Sequence, residues 1–501
     1  MGRRACESCE QLSLEDESLA QAVDGEQDGD TRWARAGRFV GPCLAVVAVL
    51  TTHPACFGCG GLSVDGAWTL GVLVLMATWW VTLAVDPAIT ALIPIVAFGV
   101  LSVGTPKEIA SPYADEVMFL FGGGALLGFA LHNTGASEYF ARVLLRGAGR
   151  SPFWVFTALM GATAIVSGFV SNLAITATML PLAIATAARA VQSPTDARNA
   201  KLSRNFTISL ILGVAFASSI GGAMTIIGSP PNPIAVKWLN NNGVPMDFAR
   251  WLQFSVPTTI VMWGVAVAIL GLWLFPTRGL LLAPVEKKPA PLSRDAIITI
   301  AVFGVAVLLW VSQPVYGPYL PSVSDGTIAI FAAGALFFLP KQNASSRTAI
   351  LEPQMLTAVP WRVLLLFGGG LSLAAAMQRT GLSTALGEAI AGAGALPSIV
   401  LLGILVTVLV LASEVASNTA LAAMAVPIVG AMAPGLGVAP ETLVIPAVFA
   451  ASWAFAMPVG TPPNALVFAS GRVRAKDMMR AGIVLDAAAI VVIVAASSVL
   501  L

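Results

Sequence analysis

LFGGG occurs twice in this chain, at residues 120–124 and 366–370. Each copy runs on to a Thr-Gly pair, Thr134-Gly135 and Thr380-Gly381. Further along, Ser167 is matched by Ser413, Ser171-Asn172 by Ser417-Asn418 and Pro181 by Pro427, every pair 246 residues apart. GSPPN at 228–232 then returns as GTPPN at 460–464. Three motifs repeated in one order mark an internal duplication, and that duplication sets the architecture.

Composition places the two copies in a membrane. Of the 501 residues, 57% are hydrophobic and 11% charged, under half the ~25% of a soluble domain. A soluble enzyme needs more charge to cover its surface. A disordered chain is polar, a nucleic-acid binder is basic whereas this chain carries a net +1, and an outer-membrane barrel shows short alternating segments. Long apolar runs make this an all-α polytopic membrane protein. Two runs, 153–188 and 396–431, are interrupted midway by the Ser-Asn pairs. Read as re-entrant hairpins, they leave about 11 transmembrane helices.

The chain then divides into a disordered cytoplasmic tail (1–38), a first transmembrane half with the first copy (39–276), a cytoplasmic linker (277–294) and a second half with the second copy (295–501). With the N-terminus cytoplasmic, only Lys107, Lys237, Arg250 and Arg379 of the 27 Lys and Arg fall outside, as the positive-inside rule asks. The C-terminus is then extracytoplasmic, in the cell (inner) membrane. An odd number of crossings separates the two LFGGG spans, so the copies are inverted. Inverted repeats with polar interruptions at matching places are the pattern of a secondary transporter. Packing alone would account for LFGGG but not for paired Ser-Asn tips and paired Pro-Pro-Asn breaks.

Each break has a chemistry. A proline pair inside an apolar helix frees carbonyls, and lipid cannot satisfy them. Freed carbonyls with Ser and Asn oxygens suit a hard, small cation such as Na+. Helix N-termini offer N–H groups to a carboxylate or other oxyanion. No Lys, Arg or His lies in any of the four motifs, so a bound anion would rely on amides, hydroxyls and nearby Na+.

At these residues the sequence resembles the divalent anion:sodium symporter family, whose members carry dicarboxylates, citrate or sulfate. The resemblance runs from about residue 67 to the C-terminus, and the stretch 86–135 is also similar to that family's early scaffold. It implies a homodimer with scaffold and transport domains of the elevator type, Na+ as coupling ion and no other cofactor. By position it implies a first Na+ site of Ser167, Ser171, Asn172 and Gly228, and a second of Ser413, Ala416, Asn418 and Gly460. Substrate would meet Asn172, Ser229, Asn418, Thr419, Thr461 and Pro462. The second tip, Ser417-Asn418-Thr419, keeps the family pattern; the first reads Ser171-Asn172-Leu173, with Leu in place of Thr. Leu173 removes a hydroxyl whose bond to a charged group is worth ~1.5–3 kcal/mol.

The function expected is Na+-coupled symport of a divalent organic anion, a C4-dicarboxylate such as succinate or malate. An anion exchanger, or a carrier of sulfate or another oxyanion, is the alternative within transport. A membrane thiol oxidoreductase using Cys56 and Cys59 is the distant one; Cys6 and Cys9 form a second Cys-x-x-Cys pair beyond the first span. Glu414 beside the second tip reads either as a functional carboxylate or as an acceptor for hairpin backbone. Asp86 before Pro87 reads as a helix start, Asp115 and Glu116 as a span edge, and Trp79 and Trp80 as interface anchors.

Overall fold

The repeat of sequence is a repeat of helices in the computed structural model, which describes residues 32–54, 62–191, 197–284, 291–342, 348–391 and 397–501. The first half forms α1 (Arg32–Thr52), α2 (Val64–Thr82), α3 (Ile93–Val100), α4 (Glu116–Asn133), α5 (Ala136–Gly147), α6 (Pro152–Ser167), α7 (Asn172–Ala187), α8 (Ala197–Gly222), α9 (Pro231–Asn241) and α10 (Phe248–Ala268). The second forms α11 (Arg294–Tyr316), α12 (Asp325–Phe338), α13 (Trp361–Arg379), α14 (Leu382–Ala391), α15 (Ser398–Ser413), α16 (Asn418–Gly435), α17 (Glu441–Ser452), α18 (Pro462–Ala469) and α19 (Ala475–Leu500). Among the described residues there is no strand, and nine helices are long and apolar enough to cross a membrane. The expected all-helical membrane fold is what the chain adopts. Cys6, Cys9, Cys56 and Cys59 lie outside the described residues, as does the tail up to residue 31. α1 already begins at Arg32, inside the stretch assigned to the tail.

Local chemistry sets the element ends. Asp115, Asp247, Ser293 and Ser324 each accept a backbone N–H at the start of α4, α10, α11 and α12. The repeated Thr-Gly pairs are helix stops: Gly135 and Gly381 take φ of 76° and 75°, a left-handed turn that glycine adopts freely. Asp86 is a helix start, accepting from the Ala88 amide at 2.9 Å, and it also pairs with Arg362. Asp115 additionally pairs with Lys237 at 2.9 Å. Trp80 is buried rather than an interface anchor; its indole donates to the Pro87 carbonyl at 3.1 Å.

The LFGGG helices interlock reciprocally. α4 packs on α12, and a β-carbon on Gly123 would sit 2.8 Å from the Ala329 backbone. Its counterpart Gly369 on α13 presses in the same way on Ala91, in the turn before α3. Each copy's glycine helix therefore packs on the helix that precedes the other copy's. The equivalent residues Phe121 and Phe367 meet edge-to-face, with ring centroids 5.3 Å apart. Equivalent side chains that touch in this way lie near a pseudo-two-fold axis relating the two copies.

Polar contacts sort the ends of the helices into two groups. Arg204 pairs with Asp477, Arg362 with Asp86, and Arg150 and Arg189 bond the carbonyls of Leu282 and Ala283. All of these residues belong to the side read as basic. Lys237 pairs with Asp115, Arg250 with Glu441, and Gln378 bonds Asn242, all on the other. Arg189 at the end of α7 also bonds the Gly149 carbonyl just before α6, so this hairpin starts and finishes at one place. Each arm has 16 residues, about 24 Å of rise against the ~30 Å of a hydrocarbon core.

Candidate functional site

The two breaks are built alike. α8 stops at Gly222 and α9 starts at Pro231; α17 stops at Ser452 and α18 starts at Pro462. Proline pairs cannot donate, so carbonyls ahead of them need another partner. The last residue of each motif supplies it. Asn232 donates through Nδ2 to the carbonyls of Gly222 (3.0 Å) and Thr225 (2.7 Å). Asn464 does the same to Ala454 (3.3 Å) and Met457 (3.1 Å). Both asparagines are fully buried. Reading the sequence for ligands did not single them out, although the shared final Asn of GSPPN and GTPPN was the available signal.

The first tip closes against the first break. Ser167 donates to the Ser218 carbonyl at 2.7 Å. With its amide nitrogen turned inward, Asn172 reaches Ser167 Oγ (2.7 Å) and the carbonyls of Ser218 (3.2 Å) and Gly228 (3.3 Å). Three of the four residues expected at the first Na+ site, Ser167, Asn172 and Gly228, thus converge. Ser171 is exposed, and its side chain caps nothing. Gly228 has to be glycine, because a β-carbon would lie 2.6 and 2.7 Å from the carbonyl oxygens of Gly222 and Gly168. Ser229 is buried beside it and accepts the Asn232 amide through its carbonyl (3.1 Å). Leu173 is half-buried and packs into the apolar core.

The second tip is held differently. Asn418 donates to the Ser452 carbonyl at 3.4 Å, and its Oδ1 has no partner. Ser413 turns its hydroxyl back to Val410 of its own helix (2.8 Å). Ala416 is buried, and Thr419 is half-buried. Thr461 caps α18 by accepting the Asn464 amide at 3.2 Å, and Pro462 is exposed. Glu414 settles into the role of backbone acceptor: it takes the amides of Ala456 (2.9 Å) and Met457 (2.6 Å). Asp486 on α19 takes the preceding amide, Phe455, at 3.1 Å. Gly460 abuts this carboxylate, since a β-carbon there would lie 3.0 Å from Glu414 Oε2. The first break has no carboxylate at the matching place; position 168 is glycine, and its carbonyl accepts the Thr225 hydroxyl instead.

Two features define what these sites can hold. Buried oxygens without a hydrogen-bond partner gather at the tips and breaks: Oδ1 of Asn232, Asn418 and Asn464, and Oγ of Ser219 and Ser452. Leaving such groups bare costs ~1–3 kcal/mol each, and a hard cation would satisfy them. At the starts of α7 and α16, Ser171 and Ser417 make no side-chain cap, so first-turn amides remain for an anion.

Comparison with known proteins places the chain among transporters. The model of the citrate transporter family matches residues 73–445. The chain is 33% identical over 457 residues to the sodium-dependent dicarboxylate transporter SdcS of Staphylococcus aureus (strain USA300), covering 89% of this chain and 87% of that one. SdcS of strain NCTC 8325 matches at the same identity and coverage. Among solved structures, the YdaH transporter of Alcanivorax borkumensis superposes with a TM-score of 0.58 at 16% identity, over 93% of this chain and 98% of its own; that likeness concerns the fold.

Proposed function

The chain belongs to the citrate transporter family, and on that premise we propose that it is a Na+-coupled symporter of a divalent organic anion, a C4-dicarboxylate such as succinate or malate, in the cell membrane. The observation that carries this reading is the pair of mirrored breaks, where unpartnered buried oxygens stand beside uncapped helix starts. The S. aureus relatives named as sodium-dependent dicarboxylate transporters support it.

Asn172 supplies the coupling. In its preferred orientation its amide nitrogen turns inward to Ser167, Ser218 and Gly228. Na+ among these oxygens reverses the preference, because the amide oxygen is then the better inward group. Rotation sends the nitrogen outward, beside the α7 start, where it can donate to a carboxylate. Cation binding therefore creates an anion donor, and an anion in turn favours the cation-loaded state. On the second side Asn418 and Gly460 hold the other ion. Substrate spans Asn172 and Ser229 at one end and Asn418, Thr419, Thr461 and Pro462 at the other. The proposal includes a cytoplasmic N-terminus, following the basic loops, and a homodimer whose transport domain, built of the hairpins and breaks, moves as an elevator.

Purified protein in liposomes, given labelled succinate with and without an inward Na+ gradient, tests this. Gradient-dependent uptake that Asn418→Ala abolishes is the expected result. Uptake only into liposomes preloaded with anion, indifferent to Na+, would make the protein an exchanger and overturn the symport reading.

A further inference from the structure

One cavity lies away from the breaks, at the basic end of the molecule. It has a volume of about 660 Å3 and is bounded by the start of α8, the end of α10 and the start of α19. Lys201, Arg204, Arg474 and Arg480 line it, against a single carboxylate, Asp477. Asp477 is already engaged by Arg204 at 2.9 Å and by Arg474 at 3.0 Å. Lys201 and Arg480 have no ion-pair partner among the described residues, and both are exposed. The cavity is thus strongly positive and only partly neutralised.

Its wall is built where a membrane surface would meet it. α10 continues into a π-helical turn, Ile269–Leu274, that ends at the cavity. On that turn Leu272 and Trp273 are 52% and 65% exposed; an exposed Trp at the end of a spanning helix sits at headgroup level. Asn205 donates to the Pro276 carbonyl at 3.2 Å and fixes the wall to α8. A charged recess flanked by an apolar, bilayer-level edge fits an amphiphile whose anionic group enters the recess while its tails stay in lipid. A soluble anion would gain nothing from the Leu272–Trp273 edge.

We propose that this cavity binds the headgroup of an anionic phospholipid, with Lys201 and Arg480 taking its phosphate. Occupancy clamps α8, α10 and α19 together at one end. α8 runs from the cavity to the first break, and α19 carries Asp486 to the second, so the lipid stiffens the frame that holds both.

The test uses the full-length protein, stripped of lipid in detergent, with thermal unfolding and native mass spectrometry as readouts. Phosphatidylglycerol is expected to raise the unfolding midpoint and to be retained in the mass spectrum, whereas phosphatidylcholine does neither. Lys201→Glu with Arg480→Glu should weaken phosphatidylglycerol binding at least tenfold, and Lys201→Arg with Arg480→Lys should keep it, which separates lost charge from lost folding. Equal effects of the two lipids, an unchanged charge-reversed variant, or full stabilisation by glycerol phosphate or inorganic phosphate alone would each overturn the proposal. None of these readouts requires Na+ or succinate transport.

Discussion

Alanine at Gly228 and alanine at Gly460 are one chemical change at equivalent positions of the two copies, and the structure gives them different outcomes. At Gly228 the new β-carbon would lie 2.6 Å from the Gly222 carbonyl oxygen and 2.7 Å from that of Gly168. Both are backbone atoms, one from the end of α8 and one from the hairpin tip. Overlap of this kind typically costs ~1–3 kcal/mol, and it is relieved by parting the tip from the break. The proposed first Na+ site is made of that junction, so the cost is expected as ~5- to 150-fold weaker Na+ binding there. At Gly460 the nearest atom is Glu414 Oε2 at 3.0 Å, followed by the Met457 carbonyl at 3.3 Å. A side-chain end can give by a few tenths of an ångström, so Gly460→Ala should change Na+ dependence by about twofold at most. The assay is Na+-dependent thermal stabilisation of each purified variant, with the half-saturating Na+ concentration for succinate uptake as a second measure. A folded Gly228→Ala protein with wild-type Na+ dependence, or a larger effect from Gly460→Ala, would refute the argument.

Four further outcomes are expected. Asn464→Ala leaves the Ala454 and Met457 carbonyls bare at ~1–3 kcal/mol each; its thermal midpoint should fall by several degrees, and a midpoint equal to wild type would sink the clasp. Gly369→Ala drives a methyl into the Ala91 backbone and should cut the yield of monodisperse protein, seen by size-exclusion chromatography, far more than Gly403→Ala, which has open space around it. Leu173→Thr restores a tip hydroxyl and should lower the KM for succinate by about tenfold or more if it bonds a carboxylate; no change would show that substrate does not touch this position. Cys56→Ser with Cys59→Ser should leave uptake unaltered, and loss of uptake in a folded double variant would revive a role for that cysteine pair.

The sequence by itself determined the class of fold and its duplication. Apolarity is a local property, so long apolar runs could be read without knowing what they touch, and Pro-Pro breaks a helix wherever it stands. The Thr-Gly stops, the Ser-Asn tips and the matching breaks were legible for the same reason. Tertiary structure decided what those breaks are made of. Asn232 and Asn464 became clasps because each reaches carbonyls 7 and 10 residues back across a bend. Glu414 became an acceptor because folding brings it the amides of Ala456 and Met457, 42 and 43 residues away. Ser167, Asn172 and Gly228 meet, while Ser413 turns to its own helix, although the motifs around them are matched. The copies share a pattern, but the neighbours differ, Gly168 on one side and Glu414 on the other, and hydrogen bonds are settled by neighbours.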